Sequence, residues 1–174
     1  MAFTYSKLAE VTVGSGGAAT IDFTNVPQNY NDLCLVFSVR SNYASTFDAI
    51  FLRANMDIGS NHSYRFLRGG GSSADSGNNS AASFVYAGQI PANSTTASTF
   101  QNASVYIPNY TSSSAKSMSI DSVGENNATS AYAIFTAGLW NNSSPIVSLR
   151  LYPENGTLIV QHSTATLYGV KAEV

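Results

Sequence analysis

The chain has 174 residues, of which 44% are hydrophobic and 10% charged, with a formal net charge of −2. An ordinary soluble domain carries about 25% charged residues. So small and balanced a charge excludes the basic footprint of a nucleic-acid binder, and the hydrophobic share excludes a disordered chain.

The length suits one domain over residues 1–174, with residues 1–8 as a short N-terminal arm. Glu10 to Val13 opens the alternating pattern of a half-buried strand. Gly14-Ser15-Gly16-Gly17 reads as a turn, and Ala19 to Phe23 resumes the strand with Ile21 and Phe23 on one face. Pro27 and the polar run Asn29 to Asn31 break it.

Asp32 to Arg40 is the clearest strand. Leu33, Leu35, Phe37 and Val39 fall on one face, and Cys34, Val36 and Ser38 on the other. Both faces are fairly apolar, which places this strand in a sheet's interior. Cys34 is the only cysteine, so the chain can form neither an internal disulfide nor a cysteine zinc cluster. Within this apolar run it reads as a small buried hydrophobe.

Tyr43 and Phe47 stand in the polar stretch Asn42 to Phe47 with no evident core role. A loop aromatic either anchors an interface or folds back onto its own domain. Ala49 to Ala54 and Ser63 to Arg68 alternate as strands, the second setting Tyr64, Phe66 and Arg68 against Arg65 and Leu67. Asp57 to Asn61 has the composition of a type I turn and lacks the spaced carboxylates of a calcium loop.

Gly69 to Ala82 has almost nothing to bury and reads as a long loop, either free in solvent or ordered against a neighbouring subunit. Gly70 and Gly71 within it join Tyr43 and Phe47 as candidate interface residues. Phe84 to Ile90 is a strand, and Ala92 to Ser98 a second Ser/Thr/Asn/Ala loop. Phe100 to Ile107 sets Val105 and Ile107 against Tyr106, and Lys116 to Val123 sets Met118 and Ile120 against Ser117, Ser119 and Asp121. Gly124 to Thr129 is a turn, and Ala131 to Trp140 a strand carrying the only tryptophan.

Ile146 to Tyr152 alternates Val147, Leu149 and Leu151 against Ser148 and Arg150. Asn155-Gly156 then signals a type I′ hairpin, with Leu158 to Gln161 as the returning strand and Thr166 to Ala172 as the last. About ten strands at this rhythm predict an all-β fold: a two-sheet antiparallel sandwich, jelly-roll-like, with long Ser/Asn-rich loops.

The residues offer little reactive chemistry. His62 and His162 have no local metal-ligand partners. The glycine runs precede no helix, so they make no phosphate cradle. Ten carboxylates are scattered, and nothing selects a catalytic pair. The expectation is a protein that is not an enzyme and uses no cofactor or metal. The N-terminus lacks the pattern of a signal peptide, and no apolar run approaches the ~20 residues of a membrane helix. The chain is therefore expected to be made in a cytoplasm, with no membrane or nucleic-acid partner.

The opening KLAEVTVGSGGAATIDFTNVPQNYNDLCLVFSVRS resembles the start of small virion proteins of tailed bacteriophages, above all those of cyanobacteria and marine bacteria. So do IPNYTSSSAKSMSIDSVGENNATSAY, GLWNNSSPIVSLRLY and STATLYGV. The resemblance implies an all-β virion structural protein, usually trimeric and located in the virion. It implies a capsid decoration, or cement, protein that binds the major capsid protein and stabilises the head. The alternative it leaves open is a tail-fibre or spike domain that binds a host-surface glycan or receptor. Neutral Ser/Asn/Thr loops suit either role, since they leave an outer face without a sticky apolar patch.

Overall fold

The computed structural model describes residues 3–127 and 131–172. Every regular element among them is a β-strand. The twelve strands are β1 (Phe3–Thr12), β2 (Ile21–Thr24), β3 (Asp32–Ser38), β4 (Phe47–Ala54), β5 (His62–Gly70) and β6 (Ser73–Ala82), then β7 (Val85–Pro91), β8 (Asn102–Ile107), β9 (Lys116–Gly124), β10 (Tyr132–Trp140), β11 (Ser148–Pro153) and β12 (Thr164–Ala172). They form two antiparallel sheets. The larger has eight strands in the order β1-β12-β3-β8-β9-β10-β5-β6, and the smaller has four in the order β2-β11-β4-β7. The fold is the expected all-β sandwich.

The chain passes repeatedly from one sheet to the other. The pairs β1–β12 and β3–β8 of the large sheet nest with β2–β11 and β4–β7 of the small one. The hairpin β5–β6 and the pair β9–β10 extend the large sheet beyond β8.

The inward faces are those that alternation picks out. Leu33, Leu35, Phe37 and Val39 are fully buried against Leu52, Leu149 and other residues of the small sheet. β3 lies between β12 and β8, an interior strand as its two apolar faces require. Polar groups complete the packing. Asp57 is an Asx-type hub that accepts hydrogen bonds from Gly59 N (2.9 Å), Asn61 Nδ2 (2.9 Å) and the buried Trp140 Nε1 (2.8 Å). The Arg40 guanidinium donates to the carbonyls of Ala92 (2.7 Å), Thr96 (2.8 Å) and Thr99 (3.1 Å). The polar loop after β7 is thereby wound around one buried cation, which satisfies its backbone acceptors.

Three expectations need correction. Gly69 to Ala82 is not a long loop: Ser73–Ala82 is β6, paired with β5 along its length. The ladder and its turn supply what apolar burial does not. Gly70 faces Ser73 across a two-residue turn in which Gly71 has φ +65°, the pattern of a II′ turn. Arg68 and Asp75 pair across the two strands. Second, Asn155-Gly156 forms no type I′ hairpin, since neither residue has positive φ. Their backbone N–H groups instead donate to the Asp48 carboxylate of β4 at 3.1 and 2.9 Å. Leu158 to Gln161 is correspondingly no strand; Ile159 alone bridges Ala18 and Ser41. Third, Val147 lies outside β11 and is 47% exposed, while the buried Ile146 takes the inward place. The expected turn Gly124 to Thr129 is described only as far as Asn127; its remainder lies outside the described residues. Residues of the expected arm from Phe3 onward belong to β1.

Candidate functional site

Alternation in a sheet that packs on one side leaves every second residue on the other side. On the outer face of the large sheet these residues form two rows, fixed by register. The first runs Ser76, Leu67, Phe135, Asp121, Ser104 and Val36 across β6, β5, β10, β9, β8 and β3. The second runs Asn78, Arg65, Ala137, Ser119, Tyr106 and Cys34 across the same strands. Over β5, β6, β8, β9 and β10 this face is concave and forms an open trough of about 710 Å³. That volume lies within the roughly 300–1,000 Å³ of small-ligand sites.

Small side chains make the floor deep, because Ser119, Ser104, Ala137 and Ser76 stand beside larger neighbours. Phe135 and Leu67 face each other directly across β10 and β5, and remain 64% and 66% exposed. Two large apolar side chains directly paired and so open to water stand out on a surface rich in Ser and Asn. The Tyr106 ring closes the far end. Its hydroxyl donates to Asp32 Oδ2 at 2.5 Å, and this bond pushes the phenol up to about 12. The ring is thereby fixed in orientation while its hydroxyl is already engaged.

The electrostatics of the trough differ from those of the rest of the molecule. Elsewhere each described charge has a partner. Lys7 pairs with Glu10, Arg68 with Asp75 and Arg150 with Asp22. Lys116 donates to the carbonyls of Ser114, Asn142 and Ser144, and Lys171 sits over the Tyr30 ring. Among the described residues only Arg65 and Asp121 have no hydrogen-bond, ion-pair or ring partner. Both stand in the trough, on either side of β10.

The four residues singled out from sequence lie outside it. Phe47 opens β4 and packs edge-on against the Tyr132 ring at 4.9 Å. Gly70 ends β5 on the same ring, where a β-carbon would come within 2.9 Å of Tyr132. The fold thus joins Phe47 and Gly70 through Tyr132. Phe47 also lines a smaller depression of about 300 Å³ with Tyr64, Phe84, Arg68 and Glu154. Gly71 is at the exposed tip of the β5–β6 hairpin. Tyr43 is half-buried in its loop, where its carbonyl accepts from Ser45 N and Asn93 N at 2.8 Å. The trough residues Leu67, Phe135, Arg65 and Asp121 escape sequence reading. The signal that could have found them is the outward placement of Leu67 and Phe135 opposite the inward Phe66 and Ile134.

The histidines do not converge. His62 is buried, stacked on Trp140, with Nε2 accepting from Ala54 N at 3.4 Å and Nδ1 unpartnered. Burial pulls it down to about 4 against a smaller opposing pull from Asp57, so the ring is neutral near pH 7. Among the described residues no three His, Cys, Asp or Glu side chains come together as a metal site. Set against known protein families, curated proteins and solved structures, the chain matches none.

Proposed function

We propose that this chain is a non-catalytic structural protein of a bacteriophage virion. In this reading it decorates the capsid, binds the major capsid protein and further copies of itself, as a trimer, and stabilises the head. The observation that carries the reading is one of the two free edges of the large sheet, the one formed by β1. β1 is ten residues long and pairs on one side only, with β12. Phe3 and Tyr5 along it are 60% and 54% exposed. A long edge strand with open backbone groups and largely exposed aromatic side chains is unsuited to a free monomer, and association covers it. Each such contact can be weak, because many copies on one lattice act together. The nested strand pairs also support the jelly-roll reading of the sandwich.

Cryo-microscopy of the parent particle tests the proposal. Density for this sandwich on the head, with β1 against the shell or a neighbouring copy, is the expected result. Density confined to the tail rejects the decoration role. A Phe3→Ser, Tyr5→Ser double variant should keep the fold, losing no more than the edge-on Tyr5–Tyr168 contact, yet fail to bind heads that lack the protein.

A further inference from the structure

We propose that the trough on the outer face of the large sheet binds a neutral oligosaccharide, a function separate from attachment through β1. Three features of the trough choose the occupant. The first is shape. The face is concave, so a second flat sheet or another copy of this same face cannot fill it, whereas a narrow chain can lie along it. Its volume of about 710 Å³ accommodates several linked rings.

The second is the chemistry of the floor. Backbone N–H and C=O groups of β5, β8, β9 and β10 are engaged on both sides in ladders. A ligand therefore meets side chains only. Extended peptides gain their main-chain hydrogen bonds at sheet edges; the one edge bordering the trough is the outer side of β6, whose open backbone groups lie in the plane of the sheet and point away from the floor. The floor offers instead the hydroxyls of Ser76, Ser104 and Ser119 and the amide of Asn78. These groups both donate and accept, as sugar hydroxyls do. Phe135 presents an open ring onto which the C–H face of a sugar can stack.

The third is charge. Arg65 and Asp121 are the described charges with no partner in the chain, and they flank Phe135 and Ala137 diagonally. Ordinary strand spacing and rise put their α-carbons about 12 Å apart. Each is a planar group that can engage two neighbouring hydroxyls, the guanidinium by donating and the carboxylate by accepting. Their charges balance, so the trough has no net attraction for a polyanion or a polycation. A neutral glycan can hydrogen-bond to both groups and adds no charge to a trough whose own two charges offset each other.

The test uses the full chain, isotope-labelled, titrated with neutral hexasaccharides of glucose, galactose, mannose and N-acetylglucosamine, with heparin and an unstructured hexapeptide as contrasts. The expected result is saturable amide shifts at residues 65–67, 76–78, 119–121 and 135–137 with at least one neutral sugar. Phe135→Ala should weaken that affinity about tenfold. Arg65→Met and Asp121→Asn should each weaken it, while Ile58→Ala, at a residue exposed elsewhere, should not. Because Phe135 is exposed, its variant should melt as the parent does. Tighter binding of heparin or peptide, sugar shifts outside the trough, undiminished affinity in Phe135→Ala, or no response to any of the four sugars overturns the proposal. None of these outcomes bears on where the chain sits in a particle.

Discussion

Gly138 on β10 faces Val85 on β7 so closely that a β-carbon at position 138 would lie 2.6 Å from Val85 Cγ1. The two residues belong to different sheets, and Val85 is fully buried. The absent side chain sets how near the small sheet rides over β9 and β10. Close packing makes interiors intolerant of an added methyl group.

Gly138→Ala is accordingly expected to destabilise the fold by about 1–3 kcal/mol, the usual cost of overpacking. Val85→Ala alone is expected to cost a comparable amount through the cavity it leaves. Together they should cost clearly less than their sum, because the new methyl group occupies the space the valine vacates. Urea unfolding of the four proteins in a double-mutant cycle measures this coupling. Strict additivity would show that the sheets do not touch at this point.

The β5–β6 hairpin gives a second prediction, built on two neighbouring glycines. Gly71 sits at φ +65°, where a side chain is disfavoured. Gly69 has a normal φ and open space where its β-carbon would be. Gly71→Ala should cost about 1 kcal/mol and speed hydrogen exchange at the β6 amides. Gly69→Ala should be neutral or slightly stabilising. The opposite order would mean that Ser73–Ala82 is not held by this turn.

That hairpin also marks the limit of what the sequence discloses. Leu33, Leu35, Phe37 and Val39 declare their strand because alternate burial leaves alternate apolar residues. Ser73 to Ala82 has no such pattern, since most of its side chains meet water on both faces. Its strand comes from backbone pairing with β5, which side-chain periodicity cannot report. Asn155-Gly156 misleads for a related reason: its local preference for a tight turn yields to a distant carboxylate, Asp48, that binds both amides. The trough is illegible for a third reason. Leu67, Phe135, Asp121 and Arg65 come from three strands, and only their register makes them neighbours.

His62 predicts how stability responds to pH. Folding lowers its pKa from 6.5 to about 4, so the unfolded chain takes up a proton at a higher pH than the native protein does. Stability from this site is complete above pH 6.5, declines between 6.5 and about 4, and is constant below. The decline is at most about 1.4 kcal/mol per pH unit, or about 3 kcal/mol in all. Asp22 and Asp57 move oppositely on the scale: hydrogen bonds from Arg150 and from Trp140 hold them below the ordinary carboxylate range. Their contribution is present above that range and is lost only as pH falls further. Urea unfolding at pH 7.5, 6, 5 and 4.5 should therefore show a slope that His62→Gln abolishes, whatever that variant's absolute stability. An identical slope in the variant would assign the effect to another group.

Cys34 supplies a probe of the outer face itself. It lies in register between Tyr106 on β8 and Tyr168 on β12, half-buried, and burial pushes its thiol pKa up. Only the thiolate reacts with a disulfide reagent, so both access and ionisation are reduced. Ellman's reagent should modify native Cys34 at least about tenfold more slowly than the urea-unfolded chain. Tyr106 is held over the face by its bond to Asp32. Asp32→Ala should release that ring, and the native rate should rise while most of the folded far-ultraviolet signal remains. Reaction of the native parent at the unfolded rate would mean that the tyrosines do not cover the sulfur, and that the row from Tyr168 to Tyr106 is open where the structure closes it.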